Sequence, residues 1–111
     1  MIVARRTLKL KTNKGIVDVP VRVFAPAAGP KGSWKCRYEI DWPEGRWAME
    51  IGGIDACQAL LLAFYGIGSE LYSSNYHKNR QLWFDAPGRG YGFPVPVSLR
   101  DLLEGDDKAF F

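Results

Sequence analysis

The stretch Gly52-Gly-Ile-Asp55-Ala-Cys-Gln58-Ala-Leu-Leu-Leu-Ala63-Phe-Tyr-Gly66-Ile-Gly68-Ser-Glu70-Leu-Tyr-Ser-Ser-Asn75 decides the fold. It reads as one long helix running from Asp55 to Asn75. Asp55 is a good N-cap, and Gln58 falls at the third helical position, which is the spacing of a capping box. Gly52 and Gly53 allow a tight exit from a preceding strand. At 100° per residue, Cys57, Leu61, Phe64, Gly68, Leu71 and Tyr72 form an apolar stripe, with Leu60 at its margin, that should lie on a sheet. The other side carries Ala59, Leu62, Ala63, Gly66, Ser69, Glu70 and Ser73. A water-facing helix normally carries several charges, and this side has only Glu70. The reading therefore expects a second surface to cover it, and marks Ala59, Leu62, Ala63 and Gly66 as the candidate interaction surface. Gly66 and Gly68 each cost about 1 kcal/mol relative to alanine in a helix interior, which suggests close packing or a kink.

The chain before the helix reads as strands. Arg5-Thr-Leu-Lys-Leu-Lys alternates with period two and should bury Leu8 and Leu10, and Thr12-Asn-Lys-Gly15 turns it round. The return from Ile16 to Phe24 puts Val17, Val19, Val21 and Val23 on one face. Pro20 cannot donate to a ladder, so a bulge or an open edge is expected there. Ala25 to Ser33 is a loop by composition. Trp34, Cys36, Tyr38, Ile40 and Trp42 then alternate with Lys35, Arg37, Glu39 and Asp41, and Pro43-Glu-Gly-Arg46 returns the chain. Pairing Trp42 with Trp47 would set Ile40 opposite Met49 and Tyr38 opposite Ile51, and would place Glu39 against Glu50 at a cost in repulsion.

After the helix, Tyr76 to Arg80 is a polar end, Gln81 to Ala86 a short fifth strand, and Ser98-Leu-Arg-Asp101 the start of a short helix ending near Gly105. The tail Asp106 to Phe111 is acidic with an aromatic end. The predicted architecture is α+β: an antiparallel four-stranded meander, one long helix packed on the sheet, a short fifth strand and a short C-terminal helix. All 111 residues are assigned to a single domain.

Chemistry is sparse. Cys36 and Cys57 form no metal-ligand or redox spacing and read as buried free thiols. His77, the only histidine, has no sequence neighbour that suggests a relay. Arg89-Gly-Tyr-Gly-Phe93 matches the start of an RNA-recognition signature, but Pro94 and Pro96 cannot continue a central strand and the element order is wrong. It reads as a glycine-rich connection. No catalytic, cofactor or metal residues are assigned. Residues 1 to 37 hold nine Lys or Arg against Asp18 alone, whereas the remainder is acidic. The basic strands could attract nucleic acid, yet the same alternation describes the wet face of a sheet. With no run of signal-peptide or membrane-spanning length, a cytoplasmic protein with no membrane partner is expected.

The segments Trp34-Lys-Cys36-Arg-Tyr38-Glu-Ile40, Gly53-Ile-Asp55-Ala-Cys-Gln58-Ala-Leu60 and Ile67-Gly68-Ser-Glu-Leu71 resemble a family of small, single-domain bacterial proteins of unknown function. The resemblance covers roughly residues 20 to 75 and implies a bacterial cytoplasmic protein, with no activity to transfer. The function expected is a binding module for a protein partner or for self-association. Nucleic-acid binding through the basic strands is one alternative. The other is a small-ligand enzyme built on Tyr38, Glu50, Asp55 and His77.

Overall fold

The computed structural model describes residues Met1–Phe111 and is α+β. Four long or medium strands, β1 (Ile2–Thr12), β2 (Gly15–Phe24), β4 (Trp34–Trp42) and β5 (Gly45–Gly53), form the antiparallel meander that the alternating patterns predict. Between β2 and β4, β3 (Ala27–Ala28) pairs with Trp34 and Lys35. Because β5 occupies one edge of β4 throughout, β3 must continue the β2 edge. The long helix α1 (Ala56–Ser73) packs over β4 and β5. Beyond it come α2 (Asn75–Lys78), β6 (Leu82–Trp83) against the far side of β1, a 3-10 turn at Val97–Leu102, and α3 (Asp106–Phe110). No helix is long and apolar enough to cross a membrane.

Pro20 finds its place through ladder parity. Thr12 and Gly15 flank a two-residue turn and exchange both hydrogen bonds, so Val17, Val19 and Val21 point their amides at β1, whereas Pro20 points away from it. The ladder to β4 runs only from Val21 to Val23 and stops short of Pro20. Parity also puts the Lys11 amide on the outer side of β1, where it donates to the Gln81 carbonyl at 2.8 Å. The bulge in β1 lies at Val3, far from the proline.

Three expectations need correction. The turn between β4 and β5 has two residues, Pro43 and Glu44, so Trp42 pairs with Gly45, Ile40 with Trp47 and Tyr38 with Met49. The register therefore slips by two from the Trp42–Trp47 pairing, which keeps every side chain on its face and replaces the Glu39–Glu50 clash with Arg37 opposite Glu50. The helix, second, is rotated from the reading of its stripe. Ala59, Ala63 and Ile67 are fully buried, whereas Leu61 is 50% exposed and Cys57 is also exposed rather than buried. Small residues win the sheet side because they let the helix backbone descend: Gly53 lies against Ala59, and Gly66 against the Tyr38 ring. The hydrophobic pattern alone carries no information on this close approach. Third, the helix ends at Ser73, and Ser74 caps α2 by accepting from the His77 amide. The fifth strand shrinks to Leu82–Trp83 with a Phe84–Ala86 bridge, and the last helix is the acidic tail itself.

Candidate functional site

Asp55 and Gln58 sit at the start of α1 and work together as a cap. The Asp55 carboxylate accepts from the Gln58 amide at 2.8 Å, and the Gln58 side chain accepts from the Ile54 amide at 2.8 Å. Two of the unpaired amides of the first turn and its approach are satisfied this way. Of the candidate interaction surface, Ala59 and Ala63 are covered by the chain's own sheet and Gly66 by Tyr38. Leu62 alone is exposed, at 39%.

The other flank of α1 is covered by the glycine-rich connection. Phe64 stacks on Phe93, and the Pro94 carbonyl presses so close to Gly68 that any side chain there would collide with it. Tyr91, Phe93 and Val95 are all buried, so this segment is part of the core and its aromatics are not free to stack on bases. Two groups hold it down. Arg6, which shares its strand face with Leu8 and Leu10, donates to the Tyr91 and Gly92 carbonyls at 2.9 and 3.1 Å and lies over the rings of Phe84 and Phe93. Asp107 in α3, 2% exposed, accepts from the Tyr91 and Gly92 amides, each at 2.8 Å, and from the Tyr72 hydroxyl at 2.5 Å. At Gly90, with φ +91, a Cβ would stand 2.5 Å from the Asp107 carboxyl carbon. Burial, and then the Asp107 carboxylate, hold the Tyr72 hydroxyl protonated far above its ordinary range.

His77 borders this cluster, its Nδ1 hydrogen-bonded to the Tyr91 hydroxyl at 2.5 Å and its ring edge-on to Tyr72. Burial pushes its pKa below the ordinary value, with nearby Arg80 acting in the same direction and Glu104 opposing. An open cleft of about 420 Å³ lies alongside, between Lys78, Arg80 and Glu104. No buried side-chain polar atom here or elsewhere lacks a partner. The four residues named for an enzyme are not brought together. Tyr38 is in the core, Glu50 is on the outer face of β5, and Asp55 and His77 stand at opposite ends of an 18-residue helix, about 27 Å long.

The outer face of the sheet is basic but largely self-paired. Glu39, only 5% exposed, takes bonds from Arg22 and Arg37 at 3.2 and 2.9 Å and lies 3.6 Å from Arg46. Asp41 takes Arg22 at 2.5 Å and Arg46 at 2.8 Å. Burial alone would raise the Glu39 pKa, but the bonds from Arg37 and Arg22 outweigh it and hold the carboxyl below its usual range.

The edge of β5 is different. Its ladder to β4 starts at the flanking pair Trp42–Gly45, so Trp47, Met49 and Ile51 turn their backbone groups to β4, whereas Arg46, Ala48, Glu50 and Gly52 turn theirs outward. No strand, helix or loop pairs with that outward side. Trp47 and Met49 beside it are 38% and 37% exposed. Edges are usually blunted by proline, a bulge or charged side chains; β5 has no proline and no bulge, and its charges are Arg46 and Glu50. The opposite sheet edge is managed: β6 pairs with Lys9 and Leu10 of β1, and Arg6 ties the connection over the same strand.

Fold and site together define an α+β domain with one long helix on an antiparallel sheet and one unpaired long sheet edge. The chain belongs to the family described as Domain of unknown function (DUF6968), whose profile matches residues 4–95. The match takes in the sheet, α1 and the connection up to Val95, and ends before Asp107. No curated protein and no solved structure matches the chain.

Proposed function

We propose that this protein is a binding module that takes up an extended polypeptide along the open edge of β5. The observation that carries the reading is the row of outward backbone groups at Arg46, Ala48, Glu50 and Gly52, flanked by the half-exposed Trp47 and Met49. Such an edge supplies main-chain hydrogen bonds for affinity and alternate side chains for selectivity. Nucleic-acid binding has weaker support, since Arg22 and Arg37 of the basic strands are already engaged by Glu39 and Asp41.

Ala48→Pro tests the reading, because it deletes an amide that faces solvent and leaves the β4 ladder intact. Amide hydrogen exchange over residues 45–53 is compared for the wild type and this variant, alone and with each polypeptide the wild type retains. Protection of the Arg46 and Glu50 amides in a complex, lost at both with Ala48→Pro, is expected. Fast exchange at both amides in every complex the wild type forms would sink the proposal.

A further inference from the structure

We infer that the occupant of the β5 edge is a second copy of this chain, with the two β5 strands antiparallel about a twofold axis at Ala48. This rests on the reading of β5 as a recognition edge and adds its partner and register.

The register follows from backbone parity and charge. Only even-numbered residues of β5 point their amides outward, so even positions must face even positions. An axis at Arg46 or at Glu50 sets that residue against its own copy, a directly opposed like charge. An axis at Trp47 sets Glu50 against the partner's Glu44, again like against like. An axis at Met49 sets Arg46 against glycine and Glu50 against alanine, with no attraction gained. The axis at Ala48 alone sets Arg46 opposite the partner's Glu50 twice over, with alanine facing alanine at the centre. Glu50 has no ion-pair partner within its own chain, and Arg46, although held by Asp41 at 2.8 Å, keeps its side chain 54% exposed and can share its guanidinium with the partner's Glu50. On the helix side, the same register sets Trp47 against the partner's Met49 in a non-hydrogen-bonded pair. There the strands approach to about 4.5 Å and a thioether contacts an indole favourably.

The helices fit the same arrangement. Strands lie about 4.8 Å apart, so a helix above the middle of β4 and β5 has its axis about 4.8 Å from the twofold. Two copies of α1 would then stand about 9.6 Å apart, inside the 8–10 Å range of roughly packed helices. The flank that α1 turns to this gap lies about 200° round the helix from Phe64 and carries Leu62, Ser69 and Ser73, with Glu70 at its margin as the one charge. Pairing would thus cover the sparsely charged side of the helix that the chain itself leaves open.

Sedimentation equilibrium of the full chain tests this. The wild type is expected to dimerise and Ala48→Pro to be monomeric with an unchanged circular dichroism spectrum. Glu50→Arg and Arg46→Glu should each weaken the dimer at least tenfold, and an equimolar mixture of the two should restore it, since both cross-strand pairs become complementary again. In a Cys57→Ser background, Ala48→Cys should form an intermolecular disulfide, because facing residues of a hydrogen-bonded pair are about 5.5 Å apart. A wild type monomeric at every concentration overturns self-pairing while leaving the edge reading to the exchange experiment. A dimer that survives Ala48→Pro overturns self-pairing through β5 and again leaves the edge reading to the exchange experiment. A dimer lost with Ala48→Pro but indifferent to the charge changes, or never cross-linked through position 48, overturns the register.

Discussion

Replacing Asp107 with alanine should cost more stability than any other change of a single charged side chain. The carboxylate accepts from two amides and one hydroxyl, and is almost wholly shielded from water. Alanine can accept from none of them. The Tyr72 hydroxyl retains a long contact with the Glu104 amide at 3.5 Å, in which it is the acceptor, so its own proton is left without a partner. If two of the three donors stay shut off from water, at about 1–3 kcal/mol each, the loss is about 2–6 kcal/mol. For a chain of this size that is a fall in Tm of about 8–24 °C. Asp107→Asn keeps one acceptor oxygen but turns an N–H towards a donor, and should lose about half as much. Urea denaturation followed by tryptophan fluorescence gives both values, and an unchanged m-value would show that the denatured state is not the cause. A loss below about 1 kcal/mol for Asp107→Ala would refute the reasoning, because it would mean that Tyr91, Phe93 and Val95 hold the connection by apolar packing alone.

Three further outcomes follow from the geometry. Asp55→Ala should lower stability by about 1 kcal/mol through loss of the cap, with Gln58→Ala costing less, both read from urea midpoints. Gly68→Ala should destabilise by at least about 2 kcal/mol despite a helix-propensity gain of about 1, since its Cβ meets the Pro94 carbonyl, whereas Gly66→Ala meets only the Tyr38 ring at 3.1 Å and should stay within about 1 kcal/mol of wild type in the same assay. Because burial lowers the His77 pKa below 6.5, the unfolded chain binds that proton more readily: its contribution is complete above pH 6.5 and is lost as pH falls from there through the lower folded-state value. His77→Gln should flatten the fall in urea midpoint between pH 6.5 and 5, and an identical slope in both proteins would count against it.

The sheet was readable because alternation reports burial directly. The even positions of β4 and the odd positions of β2 carry the core residues, and both strands face the way their patterns demand. Ladder register was less readable, since it turns on whether Pro43-Glu44 or a longer segment makes the turn, and both choices leave the same face apolar. The rotation of α1 departs from its hydrophobic stripe for a physical reason. A hydrophobicity pattern ranks Leu61 above Ala59, but helix-to-sheet distance favours the smaller side chain where backbones approach, as at Gly53 and Gly66. The anchors of the C-terminal part were hidden for another reason. Arg6 shares the parity of Leu8 and Leu10, which was a signal available in the sequence, whereas Asp107 lies in a run of acids that looks like a solvated tail. Its role depends on the three donors that the glycine-rich connection and α1 bring to it.

The absence of charge around α1 now divides into two parts with different causes. On the flank that bears Phe64 and Gly68, the connection from Tyr91 to Val95 excludes water, and charge there would be buried. On the flank that bears Leu62, Ser69 and Ser73 nothing in the chain does so, yet these side chains carry no charge, Glu70 standing alone at the margin, and lie on the side of the open β5 edge. A strand added to β5 alone would satisfy the backbone groups but leave this flank in water. A second copy covers both, because each β5 brings an α1 with it at packing distance. The sheet edge and the helix flank therefore point to the same occupant by independent physical routes, one through backbone hydrogen bonds and the other through the missing charge.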